Sequence, residues 1–342
     1  MRLFLLVLLF AQYSFAIPVG FNQAWFNNDY SGQYLDDYYD QAEVIRVMNL
    51  TQNAGAKNLR LWFFESPNFP MLHWNHDQIL GVKNEFIQNV LRTLKIAQDR
   101  DVKVYMTFLD AHSYRPDKLS RSELKKLRSI YQQSGGQEFL HKVIAPFLKA
   151  IHSAGLSSTI SRIDITNEMD TVINRLGFNE GWQGANRMLC QWSSFIKNLN
   201  GFNSVPITFS LRLHPLLYLP KDLLSEEGPM KCADFFDFHS YANSGKIHRC
   251  QTLKNYSQTS KKQLILGEFG QSYFDHRFDD HLQETNTLNY LNSAEKCGFS
   301  EALAWRLSDI RPGKNKEARY SFEAYGTNRP AYQVIKEHNS HH

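Results

Sequence analysis

Gln263-Leu264-Ile265-Leu266-Gly267-Glu268-Phe269-Gly270 is the stretch on which the fold turns. Its apolar residues are consecutive, not alternating, so a strand here is buried on both faces, as in a parallel sheet covered by helices. The run then ends in a carboxylate set between glycines. Moving outward, similar runs span Val19 to Trp25, Asn58 to Phe64, Lys103 to Leu109, Ile160 to Thr166, Pro206 to Leu211, Phe235 to Ser240 and Glu301 to Arg306, and Gln263 to Glu268 brings the number to eight. Helical periods lie between them. Val44, Val47 and Met48 share one face with Gln41 and Gln52 outside it, and Phe86, Val90, Leu94 and Ala97 repeat the three-and-four spacing. Eight strands alternating with helices predict an α/β chain folded as a single-domain (β/α)8 TIM barrel.

The chain opens Met1-Arg2 and stays apolar from Leu3 to Ala11, with small residues at Ser14 and Ala16, so residues 1–16 are expected to be a cleaved signal peptide. Residues 17–342 then make one domain, because a barrel of roughly 250 residues is ordinary and insertions lengthen it. No repeat, low-complexity tract or Pro/Gly/Ser-rich linker divides them. Hydrophobic residues are 42% of the chain, enough for a large core, and no later stretch is long enough to span a bilayer, so stable membrane insertion is not expected. The formal charge of +4 is dispersed, Lys125-Lys126 and Lys261-Lys262 read as solvated faces, and nucleic acid is not an expected partner. A monomer is expected.

Four cysteines in an exported chain allow three complete pairings, or remain as buried thiols. Cys232 and Cys250 flank one loop and are the first pair to test, whereas Cys190 and Cys297 fall on different expected helices. Asn49-Leu50-Thr51 and Asn255-Tyr256-Ser257 are glycosylation sequons if a eukaryote makes the protein.

Working residues of a (β/α)8 barrel gather at the carboxyl ends of its strands. Strand two carries Arg60 and Trp62, strand three leads to Asp110 and His112, and strand four ends Thr166-Asn167-Glu168. Strand six gives His239-Ser240-Tyr241, strand seven ends at Glu268, and strand eight holds Trp305. Glu168 and Glu268, far apart in the chain, would face each other across the barrel mouth. Either alone could be a carboxylate at a helix start, and Asp164 reads as a strand or rim residue. Together they are the pair that glycosidic cleavage needs, one to protonate the leaving oxygen and one to attack, with a gap of about 5 to 5.5 Å specifying retention. Proximity would hold the two carboxyls in different protonation states.

Gly20-Phe21-Asn22, Asn58-Leu59-Arg60-Leu61-Trp62, Thr166-Asn167-Glu168, Phe238-His239-Ser240-Tyr241, Leu266-Gly267-Glu268-Phe269-Gly270 and Ala304-Trp305, in that order, resemble glycoside hydrolase clan A, and most of all family 5, the cellulase and mannanase family. The likeness runs from strand one to strand eight. It implies Glu168 as acid/base, Glu268 as nucleophile, Asn167 on the sugar 2-hydroxyl, Arg60 holding Glu268 ionised, His239 and Tyr241 bordering the pair, and Trp305 as a stacking floor. Two departures stand out. Met169-Asp170 follows the Asn-Glu pair where many relatives carry proline, and the strand-three histidine is displaced into Ala111-His112-Ser113. His112 is retained as a substrate-binding candidate.

Aromatic residues are 13% of the chain; Trp25, Trp62, Trp74, Trp182 and Trp305 fall near strand ends or the loops above them. Trp305 is the one expected to stack a sugar, and Trp74 and Trp182 are expected to pack at the rim or core. No cofactor or metal is expected: a metal-dependent barrel hydrolase could draw on His112 and His239, but strand one offers no histidine ligand. A carbohydrate-binding barrel without catalysis is the other competing class, and both glutamates stand against it. The expected substrate is a polysaccharide or oligosaccharide, a β-linked mannan or glucan, with peptidoglycan or another amino-sugar polymer as the alternative.

Overall fold

The computed structural model describes residues 17–26, 35, 38–65, 69–76, 78–110, 119–131, 133–176, 181–213, 223, 225, 228, 230–242, 244–271, 279–309, 320–324, 326–328, 329–341. The expected signal segment, residues 1–16, lies outside them. The apolar runs form the strands of one parallel sheet: β1 Val19–Asn22, β2 Asn58–Trp62, β3 Lys103–Asp110, β4 Ile160–Asn167, β5 in two pieces, Ile207–Thr208 and Ser210–Arg212, β6 Phe235–Ser240, β7 Gln263–Phe269 and β8 Glu301–Ala304. Each pairs with the next in sequence, and β8 pairs with β1, which closes the barrel on that side.

Strand five departs from expectation, because Pro206 to Leu211 is two short strands rather than one. Ile207 and Thr208 pair with β4, whereas Ser210 to Arg212 pair with β6, in register Ser210 with Asp237 and Arg212 with His239. No single ladder reaches both neighbours. Side chains bridge the seam instead: Asp164 Oδ1 accepts from Ser210 N (3.1 Å), Ser210 Oγ donates to Asp164 Oδ2 (2.8 Å) and accepts from Glu168 N (2.9 Å), and Asp170 Oδ1 accepts from Arg212 N (3.1 Å).

Helices cover the outside. In α1 (Gln41–Asn53) and α2 (Asn84–Gln98) the faces that bury Val44, Val47 and Met48, and Phe86, Val90, Leu94 and Ala97, are those the periodicity marks. The Asp40 carboxylate caps α1 by accepting from Ala42 N (2.9 Å) and Glu43 N (3.2 Å), which satisfies amides that the helix leaves unpaired. Phe64 of the β2 end packs among Phe86, Phe108, Phe139 and Phe147 with ring centroids 5.2–6.2 Å apart. Burial of each such ring contributes about 2–3 kcal/mol. Inside the barrel, Tyr105, Phe235, Ile265 and Leu303 form a separate buried cluster. The final helix, α10 in this order of helices (Pro330–Asn339), ties the start of the barrel down: Asn339 accepts from Val19 N (3.0 Å) and donates to Val19 O and Ala54 O (2.9 Å each).

The remaining helices are α3 (Arg121–Tyr131), α4 (Gln133–Phe139), α5 (Ala145–Ser153), α6 (Met169–Leu176), α7 (Gly181–Lys197), α8 (Cys250–Ser260) and α9 (Asp280–Cys297). An antiparallel hairpin, Leu72–Asn75 with Gln78–Val82, is an addition that the sequence reading does not contain. The cysteine pairing is also corrected. Cys232 joins Cys190 of α7 (Cα–Cα 5.1 Å), and Cys250 at the start of α8 joins Cys297 at the end of α9 (4.7 Å), so neither Cys232–Cys250 nor free thiols occur. All of β6 lies between Cys232 and Cys250 in the chain, and each sulfur meets the helix packed beside it instead. Among the described residues no helix is long and apolar enough to cross a membrane.

Candidate active site

Arg60 organises the barrel mouth. Fully buried on β2, it donates from Nη1 to Glu268 Oε1 (2.5 Å) and Asn22 Oδ1 (3.0 Å), and from Nη2 to Asp164 Oδ2 (2.7 Å) and Asn167 Oδ1 (2.8 Å). Removing water from a guanidinium is costly unless charged and polar acceptors replace it, and residues of three strands, β1, β4 and β7, supply them here. Glu268 receives a second donor, the Tyr241 hydroxyl, at 2.6 Å. Asn167 in turn donates from Nδ2 to Asp110 Oδ1 (2.9 Å).

Glu168 directly follows β4 with φ at +50°, a conformation disfavoured for a residue with a Cβ, and its carbonyl accepts from Thr171 N at 2.7 Å. Such backbone costs about 1 kcal/mol or more and persists where surrounding contacts fix it. His239 stands between the two carboxylates: its Nδ1 is 3.1 Å from Glu168 Oε1 and 3.5 Å from Glu268 Oε2. One oxygen of each glutamate and a ring nitrogen of His239 lie within 4.8 Å of one another. The donor types are ones a cation could accept, but the fixed positive charge of Arg60 on Glu268 opposes a second cation there.

Behind this front lies a second buried layer. Tyr105 donates to Asp237 Oδ2, and Asp237 Oδ1 is 3.7 Å from His239 Nε2. Gly267 is required at its position, since a Cβ there would lie 1.9 Å from Asp237 Oδ1. Burial raises the Glu268 carboxyl above the usual range, His239 and Arg60 pull against it, and the Glu168 charge adds to it. For His239, burial alone would lower the imidazole, but Glu268, Glu168 and Asp237 outweigh it and the net direction is up. Burial and the Glu268 charge push the Tyr241 hydroxyl well up, so it stays a donor.

An aromatic wall adjoins the charged groups. Trp25, Trp62 and Trp305 are buried together with ring centroids 5.5–5.6 Å apart, Tyr320 joins them, and Tyr241 packs against them. Trp74 and Trp182 are half-buried against the main core, with Lys126 Nζ 4.7 Å over the Trp74 ring, as their packing assignment expects. Of the sequence-marked residues, Arg60, Asp110, Asn167, Glu168, His239, Tyr241 and Glu268 come together through direct hydrogen bonds or close charge contacts, and Trp305 sits in the wall beside them. His112 lies outside the described residues.

Asn22, Asp164, Asp170, Ser210, Arg212 and Asp237 also belong to the site and were not assigned a part in it from sequence. Arg212 was findable: it directly follows the run Pro206 to Leu211, where the strand-end rule would have taken it. Asp237 carried no such signal, because an acidic residue inside an apolar strand reads as an exception until its partners are known.

No family model matches the chain, and no curated protein sequence matches it. Solved structures do. An endo-1,4-beta-mannanase from Eisenia fetida aligns with a TM-score of 0.63 at 16% identity, covering 94% of this chain and 90% of that one. The beta-mannanase of the blue mussel Mytilus edulis gives 0.65 at 15% identity, with 95% and 92% covered. A GH5_18 protein from Streptomyces cattleya in complex with GlcNAc gives 0.67 at 12% identity, with 94% and 79% covered. This chain therefore has the (β/α)8 barrel fold shared by those mannanase and GH5_18 structures.

Proposed function

We propose that the chain is a retaining O-glycosyl hydrolase that cleaves a β-linked polysaccharide of the mannan or glucan type, exported after loss of residues 1–16, with residues 17–342 as its single catalytic domain, working as a monomer. The observation that carries this reading is the approach of the Glu168 and Glu268 carboxylates, with one oxygen of each within 4.8 Å. Retaining enzymes place their carboxyls about 5 to 5.5 Å apart, and inverting ones need roughly 6.5–9.5 Å to admit a water.

Glu268, held by Arg60 and Tyr241, attacks the anomeric carbon and forms a glycosyl ester as Glu168 gives its proton to the departing oxygen. Glu168, now a carboxylate, takes a proton from the incoming water, whose oxygen releases the ester and regenerates Glu268. Two carboxylates this close disfavour double ionisation, which keeps a proton on one of them for the first step. Asn167, fixed by Arg60 and Asp110, is the residue for the 2-hydroxyl, and the Trp305 face is the platform for the ring. His112 remains a substrate-binding candidate. The likeness in fold to solved mannanases supports β-mannan as the first substrate to test, and the GlcNAc bound in the Streptomyces cattleya structure supports an amino-sugar polymer as the second.

The test is hydrolysis of β-mannan, β-glucan, xylan, chitosan and cell-wall preparations, with the anomer of the first-formed product read by NMR. Retention of configuration is expected on at least one substrate, undiminished by a chelator. Glu268→Gln should lower turnover at least about a thousandfold. Inverted product, or unchanged turnover in that variant, removes the nucleophile assignment.

A further inference from the structure

Asp170 and Arg212 have no part in the bond-breaking steps above, yet both reach the proposed proton donor. Asp170 lies in the first turn of α6, two residues after Glu168, with its side chain buried. Its carboxylate grips the last residue of β5 at two points: Oδ1 accepts from Arg212 N (3.1 Å) and Oδ2 from Arg212 Nε (2.9 Å). The same Nε is 3.4 Å from Glu168 Oε2. One guanidinium therefore faces two carboxyl groups across the seam between β4 and the second piece of β5.

Other described residues also approach Glu168. His239 on β6 is 3.1 Å away and is shared with Glu268 on β7. Tyr241 after β6 and Arg60 on β2 both bond Glu268, and Arg60 also bonds Asp164 on β4. Thr171, whose hydroxyl is 3.5 Å from Glu168 Oε2, carries no charge. A bare guanidinium at the distance of Arg212 would favour the carboxylate and take the proton from the acid step; with Asp170 bound to it, the pair is neutral in sum but still presents an N–H toward Glu168.

We propose that Asp170 and Arg212 are positioning residues for proton transfer at Glu168, an inference that rests on the glycosidase reading: the clamp holds the guanidinium at the carboxyl's edge while Asp170 cancels the charge that would otherwise deprotonate the acid. The guanidinium then donates to Glu168 when it acts as base in the second step.

The test is the pH profile of kcat/KM for the wild type, Asp170→Asn, Arg212→Gln and the double variant, on whichever polysaccharide the wild type cleaves. Losing the Asp170 charge should move the basic limb down by about one pH unit, losing the Arg212 charge should move it up by a similar amount, and the double variant should return toward the wild type. The acidic limb should stay near its place. A basic limb unmoved in both single variants, or moved in the same direction in both, overturns the proposal even if KM or thermal stability changes. Should Asp170→Asn fail to fold, the Arg212→Gln arm decides alone. Carboxyl 13C titration of Glu168, assigned by the signal lost in Glu168→Gln, reads the same shifts without turnover. A wild type inactive on every substrate would thus count against the glycosidase reading, whereas an unmoved Glu168 titration would count against the clamp.

Discussion

Gly267 shows how closely the site is tied to single atoms. Its missing side chain is the space that Asp237 occupies, and Asp237 backs the imidazole that faces both glutamates. Gly267→Ala would need the buried carboxylate to move from Tyr105 and His239 together. We expect a loss of about 3 kcal/mol in urea unfolding; a variant as stable as the wild type would show that the layer behind His239 can yield. The same density explains why the glutamates and Arg60 were legible from sequence and the carboxylates behind them, Asp164 and Asp237, were not. A carboxylate ending an apolar strand is conspicuous in a one-dimensional string. Asp237 and Asp164 lie inside strands, where only the arrangement of partners reveals that Tyr105 and Arg60 satisfy them.

At the scale of elements, seven of the eight runs become single strands within a few residues of their marked ends, because consecutive apolar residues leave little choice in a sheet buried on both faces. The eighth breaks at Phe209. Nothing in its composition announces this, since the exchange of partners depends on the side chains of β4 and α6. The hairpin Leu72–Asn75 with Gln78–Val82 was equally hidden: it is short, and part of its anchorage is Lys142 donating to Ile79 O (2.8 Å). The disulfides were undecidable from spacing, because helix packing chooses among pairings that chain order leaves equal. The bridges close separations of 42 and 47 residues, so removing Cys190–Cys232 by paired serine substitution should cost about 3–4 kcal/mol in the chain-entropy account. Urea unfolding measures this, and non-reducing peptide mapping should recover Cys190 with Cys232; a Cys232–Cys250 peptide would contradict the pairing.

For the molecule as a whole, buried ionisable groups set the response to pH. Burial raises Asp170, Asp237, Glu268 and Glu301, and surrounding carboxylates raise His239 against its burial. Each binds its proton more tightly folded than unfolded. The His239 contribution is complete below its unfolded value near 6.5 and is lost as pH rises through the higher folded value. Those of the carboxyls are likewise lost as pH rises through their raised values. Stability should therefore fall from about pH 5.5 toward pH 8.5, and a thermal midpoint higher at the alkaline end would contradict the sign.

The divided fifth strand has a mechanical meaning at this same scale. Glu168 belongs to one lip of the seam, while His239 and Glu268 belong to the wall beginning at the other lip. On that side of the ring the two glutamates are separated by a joint that no backbone ladder spans, bridged by the Ser210 hydroxyl and the Asp164 and Asp170 carboxylates. Side chains there do the joining that main-chain ladders do everywhere else in the ring.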